Sequence, residues 1–178
     1  DPEMSRGLGD VYKRQGIDIC EDLWMPVPPS CYHAMASATV IANLSASDET
    51  TGKDLYRREL VKNQSARLIS GYIYADAGEG ESSTDLVFAG HNLIAENGSI
   101  LSETKRFENG MTISEIDLGR LVSERRRMST FTINDPETNG YEVAEFEFKN
   151  ICDTTLTRHF EKTPFVPNDK NDLSLIHI

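Results

Sequence analysis

Between Gly16 and Tyr74, short apolar runs alternate with longer segments of helical period, and this alternation restricts the chain to few folds. Gly16-Ile17-Asp18-Ile19-Cys20 sets Ile17 and Ile19 two apart, a short strand with one apolar face that ends at Cys20. Glu21 to Trp24 then leads into Pro26, Pro28 and Pro29, which interrupt regular structure. Ser30 is placed to cap a helix that includes Met35 and several alanines, and Thr39 to Leu44 reads as a buried strand. Asp54 to Leu68 is helical by composition, with Tyr56 and Leu60 four apart, and it runs into a strand over Ile69 to Tyr74. Strand, helix, strand, helix, strand is an α/β pattern.

The pattern changes further along. Asn97-Gly98 between two apolar runs is the signature of a two-residue hairpin turn. Asp117 caps a short amphipathic helix through Leu118, Leu121 and Val122, and the basic run Arg125-Arg126-Arg127 suits the negative end of its dipole. Tyr141 to Lys149 alternates as a half-exposed strand, and Thr163 to Asp169 is a proline-punctuated linker. Residues 1–15 and 173–178 show no period and read as non-native adapter and tail, leaving 16–162 as a domain and 163–172 as the start of a linker.

At 178 residues the chain has the length of one globular domain. Its formal charge of −11 repels phosphate backbones and anionic lipid, which disfavours a nucleic-acid or polybasic membrane role. No apolar run approaches the ~20 residues of a spanning helix, and no signal peptide is visible, so a cytoplasmic protein is expected. The thiols of Cys20, Cys31 and Cys152, odd in number and widely spaced, fit a reducing compartment rather than a disulfide framework.

Cys20 ends a strand and is followed at once by Glu21 and Asp22, a placement that exposes a nucleophile on a sharp turn. The competing reading is a small hydrophobe packed in a core. His33, His91 and His159 lack metal-ligand spacing, which argues against a zinc site or a papain-like pair. The run Gly16 to Trp24, then Asn43-Leu44-Ser45-Ala46-Ser47, Tyr56-Arg57-Arg58-Glu59, Gly78 to Asp85 and Ala95 to Gly98, taken in order, resembles the glutaminase domain of glutamine-dependent NAD synthetases, within the nitrilase superfamily of carbon-nitrogen hydrolases.

That resemblance implies a four-layer α-β-β-α sandwich in which a Cys-Glu-Lys triad hydrolyses L-glutamine through a thioester, with Cys20 as nucleophile. It also implies that Ser47 and Lys53 hold glutamine's α-carboxylate and amino groups, that Glu21 binds the ammonium, and that Trp24 walls the pocket. The plain alternatives are a capped strand end, a solvated lysine and core packing. The family's glutamate and lysine lie upstream of Gly16, so this chain is expected to be a fragment inactive alone, with the N-terminal part of the sandwich missing. No cofactor is expected in it. ATP and Mg²⁺ belong to a synthetase domain beyond the linker, which amidates nicotinic acid adenine dinucleotide with the released ammonia, and the parent is expected to form homo-oligomers. A free-standing amidase of the same superfamily, or a non-catalytic scaffold, are the alternative readings. Arg57 or Arg58 is expected to orient Glu59 or another acidic partner, and Gly78-Glu79-Gly80-Glu81 to form a turn, since its carboxylates repel phosphate.

Overall fold

The computed structural model describes residues 14–134, 140–144 and 155–160. Five strands form one mixed sheet in chain order: β1 (Gln15–Ile19), β2 (Val40–Ser45), β3 (Gly71–Asp76), β4 (Leu93–Glu96) and β5 (Ser99–Glu103). β1, β2 and β3 are parallel, joined through α1 (Pro29–Met35) and α2 (Lys53–Leu68), while β4 and β5 run antiparallel. A helix α3 (Leu118–Arg127) follows the sheet.

Local chemistry accounts for most boundaries. β4 and β5 are joined by Asn97 and Gly98, both at positive φ (43° and 84°), the pairing that a two-residue turn of matching twist requires. Asp117 caps α3 by accepting from the Arg120 N–H at 2.9 Å. Helix α1, by contrast, is not capped by Ser30. Its N-cap is Pro28, and Ser30 lies inside the first turn, buried, where its hydroxyl accepts from Gln64 of α2 at 3.0 Å. β3 begins at Gly71, two residues later than the apolar run suggests, because Ile69 adopts a left-handed conformation that terminates α2.

Gln15 already pairs with Val40, and the Arg14 carbonyl accepts from Thr39 and Val40, so the ladder extends one residue ahead of Gly16. Tyr141 to Ala144 form no strand ladder with the described residues, and the rest of that expected strand, like Cys152 and the 163–172 linker, lies outside the described residues. Glu79–Glu81 form a single exposed 3₁₀ turn.

The helices α1 and α2 lie on one face of the sheet, where Ile41, Val61, Leu68, Tyr72 and Leu93 form the core. Burial of each such side chain contributes about 1.5–3 kcal/mol. Polar side chains share this face: Asp18, Asn43 and Tyr72 are buried and joined, with the Tyr72 hydroxyl donating to Asp18 at 3.1 Å. Burial, and then the Asp18 charge, push the Tyr72 phenol far above its ordinary range, so it stays a donor. On the opposite face Ile17, Ile19 and Leu44 are 62%, 65% and 59% exposed. Among the described residues nothing covers that surface.

Candidate active site around Cys20

Cys20 follows the last residue of β1 and opens a 3₁₀ turn, Cys20–Trp24, with φ of +49°. A cysteine in the left-handed region carries strain, which the surroundings hold in place. The Asp22 carboxylate turns back to accept from the Ile19 N–H at 2.7 Å, and the buried Asn43 amide donates to the Cys20 carbonyl at 3.4 Å. The same amide donates to the Tyr72 hydroxyl at 3.4 Å, so the elbow is tied to the Asp18–Tyr72 pair beneath the sheet. Close packing under the strand also explains Gly16, where a Cβ would fall 2.6 Å from His33.

Cys20 is half-buried. In the parallel register Ile19 pairs with Leu44, so Ser45 arrives beside Cys20, and its hydroxyl donates to Sγ at 3.7 Å. Tyr74, on the neighbouring strand and buried, donates in turn to Ser45 Oγ at 2.7 Å. Tyr74 does not stand out in the sequence, and Ser45 figures there only as part of the Asn43-Leu44-Ser45-Ala46-Ser47 run. Their link depends on strand register, which no local pattern reveals.

His33 is not hydrogen-bonded to this thiol. His33 Nε2 faces the Ile17 carbonyl at 3.2 Å and Asp18 at 3.4 Å, and Nδ1 meets the Tyr141 hydroxyl at 2.9 Å. Because a carbonyl only accepts, Nε2 carries a proton and is turned away from the sulfur. Among the described residues no carboxylate or lysine is hydrogen-bonded to Sγ.

Around the turn, Trp24, Lys53 and Tyr56 come together. The Lys53 ammonium lies 5.4 Å from the Trp24 ring centroid, and Trp24 and Tyr56 sit 5.3 Å apart at a 50° tilt. Lys53 also pairs with Asp48 at 2.6 Å, which lowers the Asp48 carboxyl below its ordinary value. One of three ammonium donors is thereby engaged. Trp24 is partly buried against the core and Glu21 is exposed beside the nucleophile. Ser47 is buried: its N–H donates to Asp76 at 2.9 Å and its Oγ accepts from Arg57 at 3.4 Å.

Arg57 is fully buried, which excludes a surface role, and it does not orient Glu59. It donates to Glu49 at 2.9 Å and to His91 Nδ1 at 3.0 Å, and lies 3.8 Å from Asp76. His91 Nε2 donates to Glu103 at 2.7 Å. Burial raises the Asp76 carboxyl above its ordinary value, outweighing the hydrogen bonds and the Arg57 charge. For Glu103 burial likewise opposes ionisation, but hydrogen bonds from His91 and Arg58 prevail and hold it below. Arg58 is the neighbour that reaches Glu59, at 3.9 Å, as well as Glu103 at 3.0 Å. A depression of about 540 Å³ opens over Asp54, His91, Glu103 and Arg106 rather than over Cys20. Its charges are matched to one another, Arg106 with Asp54 at 3.2 Å and His91 with Glu103.

No family model matches the chain. A glutamine-dependent NAD(+) synthetase of Mycobacterium tuberculosis is 43% identical over 167 residues, spanning 88% of this chain and 24% of that protein. The chain therefore spans about a quarter of the length of the curated relatives it matches. Two solved structures share the fold at lower identity. One is the glutamine-dependent NAD+ synthetase of Acinetobacter baumannii, with TM-score 0.56 and 21% identity, covering 62% of this chain and 21% of that one. The other is Nit3 of Saccharomyces cerevisiae, a nitrilase-superfamily member, with TM-score 0.54 and 20% identity, covering 65% and 42%.

Proposed function

From a chain homologous to part of the glutamine-dependent NAD(+) synthetases and folded as part of a nitrilase-superfamily domain, we propose that Cys20 is the nucleophile of a glutamine amidohydrolase. The observation that carries this is the strained, partly exposed Cys20 at the strand end, held by Asp22 and Asn43 and receiving a hydroxyl proton at sulfur.

The thiolate adds to the side-chain carboxamide carbon of glutamine, and the C–N bond breaks as ammonia leaves with a proton supplied by a glutamate of the triad. Water then cleaves the thioester to give glutamate. The Glu21 N–H, one residue past the nucleophile, is available to the oxyanion, an interaction of about 3 kcal/mol in comparable sites. Glu21 takes the substrate ammonium, Trp24 forms a wall, and Lys53 with Ser47 takes the α-carboxylate and amino groups. A charge-assisted bond to lysine is roughly twice as strong as a neutral one, which suits a carboxylate. In the longer protein the ammonia amidates nicotinic acid adenine dinucleotide in an ATP- and Mg²⁺-dependent synthetase domain, within a cytoplasmic homo-oligomer.

The test is Cys20→Ala in a full-length protein carrying this segment. Glutamine-dependent NAD formation falls by at least about a thousandfold, as expected for loss of a covalent nucleophile, while turnover on free ammonium salt persists. The 178-residue chain assayed alone releases no ammonia from glutamine, since among its described residues no carboxylate or lysine bonds the thiol. Undiminished glutamine-dependent turnover in the variant would overturn the assignment.

A further inference from the structure

We infer that Ser45 and Tyr74 form a two-hydroxyl relay that directs a proton donor at Cys20 Sγ and stabilises its thiolate, with Tyr74 acting as a positioning residue through Ser45. This deepens the nucleophile reading above and rests on it.

The geometry fixes the direction of donation. A thiolate has no proton and only accepts, so a hydroxyl at 3.7 Å from Sγ must turn its single proton toward sulfur. Ser45 then has none to give elsewhere, and the 2.7 Å contact to Tyr74 is satisfied only by the phenol donating. Tyr74 is suited to this. Its side chain is buried in the core cluster, and burial raises its phenol above the ordinary value, so it remains a donor wherever the cysteine titrates. Phenol donation polarises the serine hydroxyl and strengthens the bond it makes to sulfur.

Strand register makes the relay. Ile19 pairs with Leu44 and Asn43 with Tyr74, so Ser45 and Tyr74 sit on adjacent strands beside the end of β1. The Asn43 bond to the Cys20 carbonyl holds the elbow against that register. The backbone is thus fixed by one buried polar group and the sulfur is addressed by another pair.

The test follows alkylation of Cys20 by iodoacetamide as a function of pH in the 178-residue chain, with peptide mapping to separate it from Cys31 and Cys152. Ser45→Ala moves the pH–rate profile upward by about 0.5 to 1 unit, the size of one lost hydrogen bond. Tyr74→Phe, which keeps the ring, moves it by a smaller amount. The double variant moves no further than Ser45→Ala alone, because Tyr74 acts through the serine. Ser45→Thr restores the profile. A Ser45→Ala profile that coincides with the unsubstituted chain, at unchanged circular dichroism, overturns the inference, as does full additivity in the double variant. Should Ser45→Ala not fold, Tyr74→Phe decides by the same criterion of shift or no shift. A shifted profile beside a Cys20→Ala protein that still uses glutamine removes the nucleophile reading and leaves the relay standing. An unmoved profile with an inactive Cys20→Ala protein removes the relay alone.

Discussion

Arg57 and Arg58 are adjacent in the chain and about 100° apart around α2, and that rotation separates a buried network from solvent. Arg57 holds Glu49 and faces Asp76 with no exposed surface. Arg57→Met leaves Asp76 without its cation and Glu49 with only Arg106, at 3.6 Å, and urea denaturation is expected to show a loss of about 3–5 kcal/mol. Arg57→Lys keeps the charge but not the planar fork, so its loss falls between the two. The composition of α2 shows a helix but not which arginine turns inward, because α2 carries few apolar residues to mark a buried face. Glu103 offers a second test at this scale. Its carboxyl is held below its ordinary 4.5, so its stabilisation is complete above that value and is lost as pH falls through the lowered one. Asp76 is raised and works with the opposite sign in the same acidic range. Comparing Glu103→Gln with the unsubstituted chain removes the common Asp76 contribution. The gap between their urea midpoints is expected to be full above pH 4.5 and to close as pH falls below it.

Arg125 illustrates how elements are joined. The basic run closing α3 suggests compensation of that helix's own dipole, yet Arg125 is buried and donates to the end of a different helix, α2. Nε reaches the Leu68 and Ile69 carbonyls at 3.1 and 3.0 Å, and Nη2 reaches Ala38 and Leu68 at 2.7 and 2.8 Å. Leu68 and Ile69 close α2, whose last carbonyls a helix leaves unpaired, while Ala38 lies just ahead of β2, and the cation also complements the α2 dipole. Burial pushes the guanidinium down to about 10, which still leaves it charged at neutral pH. Arg125→Ala is therefore expected to lower stability by about 2–4 kcal/mol in chemical denaturation, and Arg125→Lys to recover less than half, since one ammonium cannot address three carbonyls in a plane. The two-residue hairpin and the Asp117 cap are legible in the sequence because each is settled within a few residues. The destination of Arg125 is not, being separated from Leu68 by 57 positions.

On the scale of the molecule, the strands near Cys20 invert the usual sense of an apolar pattern. The alternation of β1 marks Ile17 and Ile19 as the core face, yet these are bare while Asp18 lies under the helices. Leu44 and Asn43 repeat the inversion on β2. Both faces of the sheet are therefore suited to burial, one by a satisfied polar network and helices, the other by apolar side chains without cover among the described residues. Strand period gives the alternation, but which face meets the helices is decided by what packs on each side, and this is why the Cys20 elbow was legible while its buried support was not. A bare apolar face beside an edge strand favours association with other copies. The 178-residue chain is expected to self-associate at micromolar concentration, seen as a rise in weight-average mass by light scattering. Leu44→Glu should reduce that association without lowering the urea midpoint, because the side chain is 59% exposed and supports nothing beneath it. Val61→Glu, on the helix-covered side, should instead unfold the chain. If Leu44→Glu left the scattering unchanged, this face would not be the adhesive one, and the case for a second sheet packed on it would weaken accordingly.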